Sequence, residues 1–234
     1  MADLIAQAGN TAYKIVWSTG VATALTLPTG VTLSTTRKPR FAALNQWIVM
    51  VNSPSRNLAI DPEGTFRVLV PSAPQNAPTL AASGTGLTGD YIYRISYIVI
   101  NSDGELLMES PLGPKSATLA ATNDNIALSD IPLSLDSISA RRIYRTLAAG
   151  GDTFYRVHDL DGNVATALLD TVADSTVELL PVMPSTLGSP PGTLPGIRFK
   201  NIVEWKSRLW AVADDPTLAD TVWVSETNKI YAWP

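Results

Sequence analysis

The chain has no cysteine and a single histidine. The first absence excludes disulfides, thiol nucleophiles, iron–sulfur clusters and zinc ribbons together. The second removes nearly every zinc-hydrolase arrangement, and every histidine-based triad not centred on His158. Charge is sparse as well. Only 16% of the 234 residues are charged, and a net charge of −4 with a pI near 5.0 argues against a protein whose main task is neutralising phosphates. No apolar run approaches the roughly 18 residues of a membrane-spanning helix. The N-terminal MADLIAQAGNTAYK lacks the basic start and long apolar stretch of a secretory signal, so neither a membrane partner nor export by that route is expected. Ser83-Gly84-Thr85-Gly86 lacks the lysine and helix of a phosphate-cradling loop, which sets nucleotide enzymes aside.

What is present is β-texture. Seventeen prolines and fifteen glycines punctuate short runs rich in Thr, Val, Ile and aromatics, which predicts an all-β chain. Strands are expected at 13–17, 41–52, 66–70, 91–101, 142–147, 154–160, 167–171, 202–205, 209–213 and 221–226. Residues 139–149 have helix-forming composition. Their continuation through Gly150-Gly151-Asp152 into TFYRVHDL reads instead as a hairpin with RIYRTL as its first arm. Tight turns are expected at Asp61-Pro62-Glu63-Gly64, at Asn101 to Glu105 and at Lys206-Ser207.

Two proline-rich stretches, 71–86 and 181–196, read as connectors, with Pro71, Pro74, Pro78, Pro190, Pro191 and Pro195 as hinge residues. They bracket residues 77–181, whose size and strand pattern suit an immunoglobulin- or fibronectin-like β-sandwich. The flanks, 1–70 and 197–234, read as propeller-like blades, the second returning to the first.

Three stretches carry a resemblance: residues 87–111 (LTGDYIYRISYIVINSDGELLMESP), 140–160 (ARRIYRTLAAGGDTFYRVHDL) and 199–234 (FKNIVEWKSRLWAVADDPTLADTVWVSETNKIYAWP). Together they resemble tail structural proteins of tailed bacteriophages, of the nozzle or tail-hub type, in which a β-propeller is interrupted by an immunoglobulin-like insertion. The resemblance implies a non-enzymatic virion component of the tail, assembled in the host cytoplasm. Its partners would be other tail or connector proteins and further copies in a ring, with phage DNA passing through the lumen without sequence-specific binding. The alternative reading is a host-surface or glycan-binding module of such a tail. A propeller needs 4–8 blades of roughly 40–45 residues, whereas the flanks hold about 108 residues, so a longer chain or neighbouring copies are expected to complete it.

Candidate chemistry is weak by comparison. Alternation places His158 on the strand face of Phe154 and Arg156, with no nucleophile elbow nearby, and no catalytic residue is assigned. Asp159, Asp161, Asn163 and Asp170 have the spacing of a calcium loop. The glycine required at its sixth position is Val164, so a plain turn is preferred, and neither a metal nor a cofactor is expected. The groups Arg37-Lys38-Arg40, Arg141-Arg142-Arg145 and Arg198-Lys200 read as solvated faces of half-buried sheets. The six tryptophans, all outside 77–181, read as core filling rather than a sugar platform. For a glycan-binding insertion, the aromatic candidates are Tyr91, Tyr93, Tyr97, Tyr144, Phe154 and Tyr155.

Overall fold

The computed structural model describes residues 4–52, 54, 56–184, 198–218, 221–230 and 233. The chain is all-β. Its strands are β1 (Leu4–Ala8), β2 (Thr11–Ile15), β3 (Ala22–Ala24), β4 (Arg40–Leu44), β5 (Trp47–Val51), β6 (Leu58–Ile60), β7 (Phe66–Val68), β8 (Thr79–Tyr91) and β9 (Tyr93–Ile100). They continue as β10 (Leu106–Glu109), β11 (Leu119–Ser129), β12 (Ala140–Arg145), β13 (Tyr155–Asp161), β14 (Leu168–Asp170), β15 (Phe199–Trp205), β16 (Arg208–Ala213) and β17 (Val222–Val224). One helical turn, α1 (Asp174–Val177), and a short 3-10 turn at Pro216–Leu218 complete the elements. Two compact units result: Met1–Val70 with Gly188–Pro234, and the intervening Pro71–Leu187.

The first unit contains three antiparallel sheets, β1-β2-β3, β4-β5-β6-β7 and β15-β16-β17. In the four-stranded sheet, register places Ile48 beside Ile60, Met50 beside Leu58, Leu58 beside Val68 and Ile60 beside Phe66, so these side chains share one face. That face packs with Ala12 of β2, with Val31 and Leu33, and with Ile5, Leu25 and Leu27. Ala42, Leu44, Trp47, Val49 and Val51 share the opposite face and are also buried. The edge strand β15 runs close to β4 and β5. Sheet β4–β7, with two apolar faces, is therefore interior to its unit.

Residues 41–52 form two strands rather than one. Asn45 and Gln46 adopt φ of 49° and 65°, the positive pair of a two-residue hairpin turn that reverses the chain between β4 and β5. Apolar residues on both sides of that turn conceal it in the sequence. The expected Lys206-Ser207 turn has the same build, with φ of 51° and 57°. Asp61-Pro62-Glu63-Gly64 turns as expected: Gly64 has φ 88°, and Asp61 accepts the Thr65 N–H at 2.7 Å and Arg67 Nε at 2.7 Å.

The second unit comprises sheet β10-β9-β12-β13 and sheet β14-β11-β8. One apolar core takes residues from both: Tyr93, Ile95 and Ile143 from the larger, Leu87, Tyr91, Ala121, Ile126 and Leu128 from the smaller. Strands β12 and β13 pair as the expected hairpin. The Asn101–Glu105 turn closes with Asn101 Oδ1 accepting the N–H groups of Asp103 and Glu105 at 3.0 and 2.7 Å. Two strands of this unit depart from expectation, as β1 and β3 do in the first. Thr79 to Gly86, read as part of a connector, is the first half of β8, and β11 was not expected at all. At Gly89 the backbone takes φ 132°, where an added Cβ would lie 2.5 Å from the Ala148 carbonyl.

Of the connector prolines, Pro71, Pro74 and Pro78 are buried. Pro74 lies so close to Gly113 that a Cβ there would sit 2.7 Å from the proline ring. Pro190, Pro191 and Pro195 lie outside the described residues.

Candidate functional site: sheet faces and charge clusters

The first candidate surface belongs to sheet β15-β16-β17. Along β16 burial alternates strictly, with Leu209, Ala211 and Ala213 buried and Arg208, Trp210 and Val212 partly exposed. Ile202 and Trp223 join the buried face through their register with Ala211. The other face carries Val203, Trp205, Trp210, Val212 and Val222, and Val203, Trp205 and Val222 are 57, 53 and 55% exposed. Part of it is a shallow groove of about 190 Å³ bounded by Val203, Trp210, Val212 and Val222. Trp205 and Trp210 meet edge to face at 5.5 Å, and the Trp210 indole donates to the Trp205 carbonyl at 3.2 Å. Lys206 caps the Trp205 ring at 4.4 Å.

Sheet β1-β2-β3 repeats the arrangement. Ile5 and Ala12 pack inward, whereas Leu4, Ile15 and Ala22, aligned across the three strands, share the other face with Ala6, Tyr13 and Ala24. Leu4 is 49% exposed. A half-buried sheet normally turns polar side chains to water. Here both outer sheets turn apolar ones.

The tryptophans divide accordingly. Trp47, Trp223 and Trp233 are buried, as core filling requires, and the Trp233 ring packs tilted against Phe199 at 5.1 Å. Trp17 and Trp205 are exposed, and Trp210 is only partly covered, which corrects the expectation that all six fill the core. Valine partners on an uncovered strand face give the same local pattern as valines in a core, so sequence alone does not separate them.

The second unit holds its charge inside. Arg141, Arg142 and Arg145 were expected on a solvated face, yet all three are buried. Arg145 donates to Asp170 Oδ2 and Asp174 Oδ1, both at 2.7 Å, and lies 5.1 Å over the Tyr91 ring. Asp170 also accepts Tyr93 Oη at 2.7 Å and the Val172 N–H at 2.9 Å, and pairs with His158 Nε2 at 3.3 Å. Burial by itself would push the Asp170 carboxyl up, but His158, Arg145, the Val172 N–H and Tyr93 hold it at about 2. Burial, with Asp174 nearby, pushes the Tyr91 phenol up to about 12. Burial and Asp170 push that of Tyr93 up strongly.

On the opposite face of the sheet, Arg142 clamps Asp159 with two bonds of 2.9 Å and reaches Glu109 Oε2 at 3.0 Å. Glu109 Oε1 accepts Tyr144 Oη at 2.7 Å and Ser96 Oγ at 2.5 Å. The Asp159 carboxyl is lowered: burial opposes ionisation, and the bonds to Arg142 and the charges of Arg142 and Arg156 outweigh it. Arg141 donates Nε and Nη1 to the carbonyls of Gly162 and Ala165, and its Nη2 is buried without an acceptor. Arginine with bidentate partners survives burial where sequence reading places a solvated charge.

A bulge between Ile143 and Tyr144 corrects the assignment of His158. Ile143 faces His158 while Tyr144 faces Arg156, so Val157 is the extra residue and Arg156 and His158 point to opposite faces. His158 thus reaches Asp170, whereas Arg156 reaches Asp159 at 2.6 Å. An acid–histidine pair results, but among the described residues no serine or threonine hydroxyl bonds to His158. The calcium spacing comes apart in the same way: Asp159 and Asp170 serve different arginines, and Asn163 holds Ser134 through its N–H and carbonyl, both at 2.8 Å. No cluster of three metal-ligating side chains occurs among the described residues. Of the aromatic candidates for glycan stacking, Tyr91, Tyr93, Tyr97, Tyr144 and Phe154 are buried, leaving only Tyr155 partly exposed.

The remaining cationic groups converge. Arg37, Lys38 and Arg40 lie beside Lys200 around a cavity of about 330 Å³, where Arg37 pairs with Asp214. Arg198 instead donates to the Pro54 carbonyl at 2.7 Å. Comparison with known proteins finds no matching family model and no curated protein of significant similarity.

Proposed function

We propose that this chain is a non-enzymatic structural component of a bacteriophage tail, in the nozzle, tube or hub, built into a ring through its sheet faces. The observation that carries this reading is the pair of uncovered apolar faces on the outer sheets of the first unit, typified by the exposed Val203, Trp205 and Val222. Full burial of an exposed valine or larger apolar side chain contributes about 1.5–3 kcal/mol, so covering these half-exposed side chains gains roughly half of that for each, set against the cost of association. The two faces come from different sheets. One copy would therefore present β15–β17 to the β1–β3 face of the next, a head-to-tail contact that closes into rings. The edge strands β4 and β15 run close together, which supports reading them as inner strands of adjacent propeller blades. The second unit, with both layers closed on one core, would be the immunoglobulin-like insertion.

The net charge of −4 suits a conduit past which DNA slides without being gripped. The test is direct. Phage particles encoding the chain are purified and imaged at subunit resolution, with mass spectrometry of the separated tails. The proposal expects the chain in a tail ring with the β15–β17 face covered by a neighbour, and its absence from the particle overturns the proposal.

A further inference from the structure

The cationic cavity in the first unit is not used by this assembly reading. It lies where the start of β4, the end of β5, the start of β15 and the end of β16 meet, so two stretches about 160 residues apart in sequence supply its walls. Four cations line it, against one carboxylate. Asp214 is committed to Arg37, and among the described residues Lys38, Arg40 and Lys200 have no carboxylate partner. Three uncompensated positive charges around one concavity repel one another, a cost that an anion in the cavity removes.

Two further features narrow the ligand. Asn52 also lines the cavity and is only 5% exposed. Its Nδ2 is spent on Gln7 Oε1 and on the Ser34 carbonyl at 3.1 Å, while its Oδ1 is buried with no donor. That oxygen is closed off from solvent, so a ligand hydroxyl reaches it only once the side chain shifts toward the cavity, a move favoured because a buried acceptor left unpaired is costly. Val51 and Phe199 add apolar wall beside it.

We propose that this cavity binds a small hydroxyl-bearing phosphate ester, of the kind found in sugar phosphates. A phosphate monoester carries a charge of about −1.5 to −2, which matches the surplus better than the single charge of a carboxylate. Its oxygens suit the forked donors of Arg40 and the point charges of Lys38 and Lys200. The volume of about 330 Å³ is at the small end of ligand pockets and fits a compact ester rather than a long chain.

Isothermal titration calorimetry of the full chain tests this with glucose 6-phosphate, inorganic phosphate, glucuronate and a single-stranded oligonucleotide as probes. Glucose 6-phosphate is expected to bind at least tenfold more tightly than inorganic phosphate or glucuronate. Arg40→Ala with Lys200→Ala is expected to weaken it at least tenfold without moving the thermal midpoint. Both side chains are exposed, so these variants fold. Asn52→Asp, which places a negative charge beside the ester, is expected to weaken it further. No heat with any phosphate at millimolar concentration overturns the proposal, as does binding that the double variant leaves intact. Tighter, steeply salt-dependent binding of the oligonucleotide also overturns it, in favour of a nucleic-acid track. None of these outcomes bears on the sheet-face contacts, which self-association reads separately.

Discussion

The two units of this chain solve the same problem, hiding a sheet, in opposite ways. The inserted unit closes two sheets on one core and keeps arginines and carboxylates paired in buried clusters, with Arg145 Nε and Arg141 Nη2 left without an acceptor. The other unit buries both faces of its middle sheet, yet leaves Val203, Trp205, Val222 and Leu4 uncovered on its outer ones. Buried ion networks are costly to build and more costly to break, and they tie a unit to one internal arrangement. Uncovered apolar faces tie a unit to its neighbours. Both units expose large apolar side chains, but in the inserted unit most of them, Leu133, Leu135, Val164 and Leu179, sit on connections, whereas in the other unit Val203, Trp205 and Val222 form rows on a sheet face.

All six tryptophans fall in the first unit and five of the seven tyrosines in the second, so the two can be followed independently by fluorescence. The largest expected effect is that of Arg145→Met. It leaves Asp170 and Asp174 without their cation and should destabilise the inserted unit by about 3–5 kcal/mol. Thermal melts should show the tyrosine transition falling and the tryptophan transition unmoved, and a joint shift would break the distinction between the units.

Acid comes next. The Asp170 carboxyl is held at about 2, below its value in an unfolded chain, so its stabilisation is complete above about pH 4 and is lost as pH falls toward 2. The loss should amount to roughly 2–3 kcal/mol and be seen by tyrosine first. An acid transition reported by tryptophan alone contradicts this. Gly89→Ala should cost about 1–3 kcal/mol, because it adds a Cβ against the Ala148 carbonyl at a positive φ. Denaturant midpoints read this, and an unchanged midpoint would mean the close approach relaxes without strain. Val203→Glu should change stability least, by within about 0.5 kcal/mol, since the side chain is 57% exposed.

Much of this architecture is legible in the sequence. Turns with a chemical signature stood out: Asp61-Pro62-Glu63-Gly64, Asn101 to Glu105, and the Gly150-Gly151 reversal between β12 and β13. Features resting on partners distant in sequence did not. Asn45-Gln46 turns without glycine between apolar arms, and β11 carries a polar Thr-Asn-Asp-Asn centre around two register shifts. Arg142 and Arg145 look like surface charges until Glu109, Asp159 and Asp170 arrive from other strands. The cavity near Arg40 was equally hidden. Its two basic stretches stand far apart in the sequence, and only the meeting of β4 with β15 joins them.

The central claim is that the outer sheets of the first unit exist to be covered, and sedimentation velocity tests it most directly. The whole chain, compared with Val203→Glu/Val222→Glu over a hundredfold concentration range, should self-associate with rising concentration, while the double variant stays monomeric with an unchanged melting temperature. A wild-type chain that sediments as a monomer throughout, or a double variant that associates equally well, contradicts it.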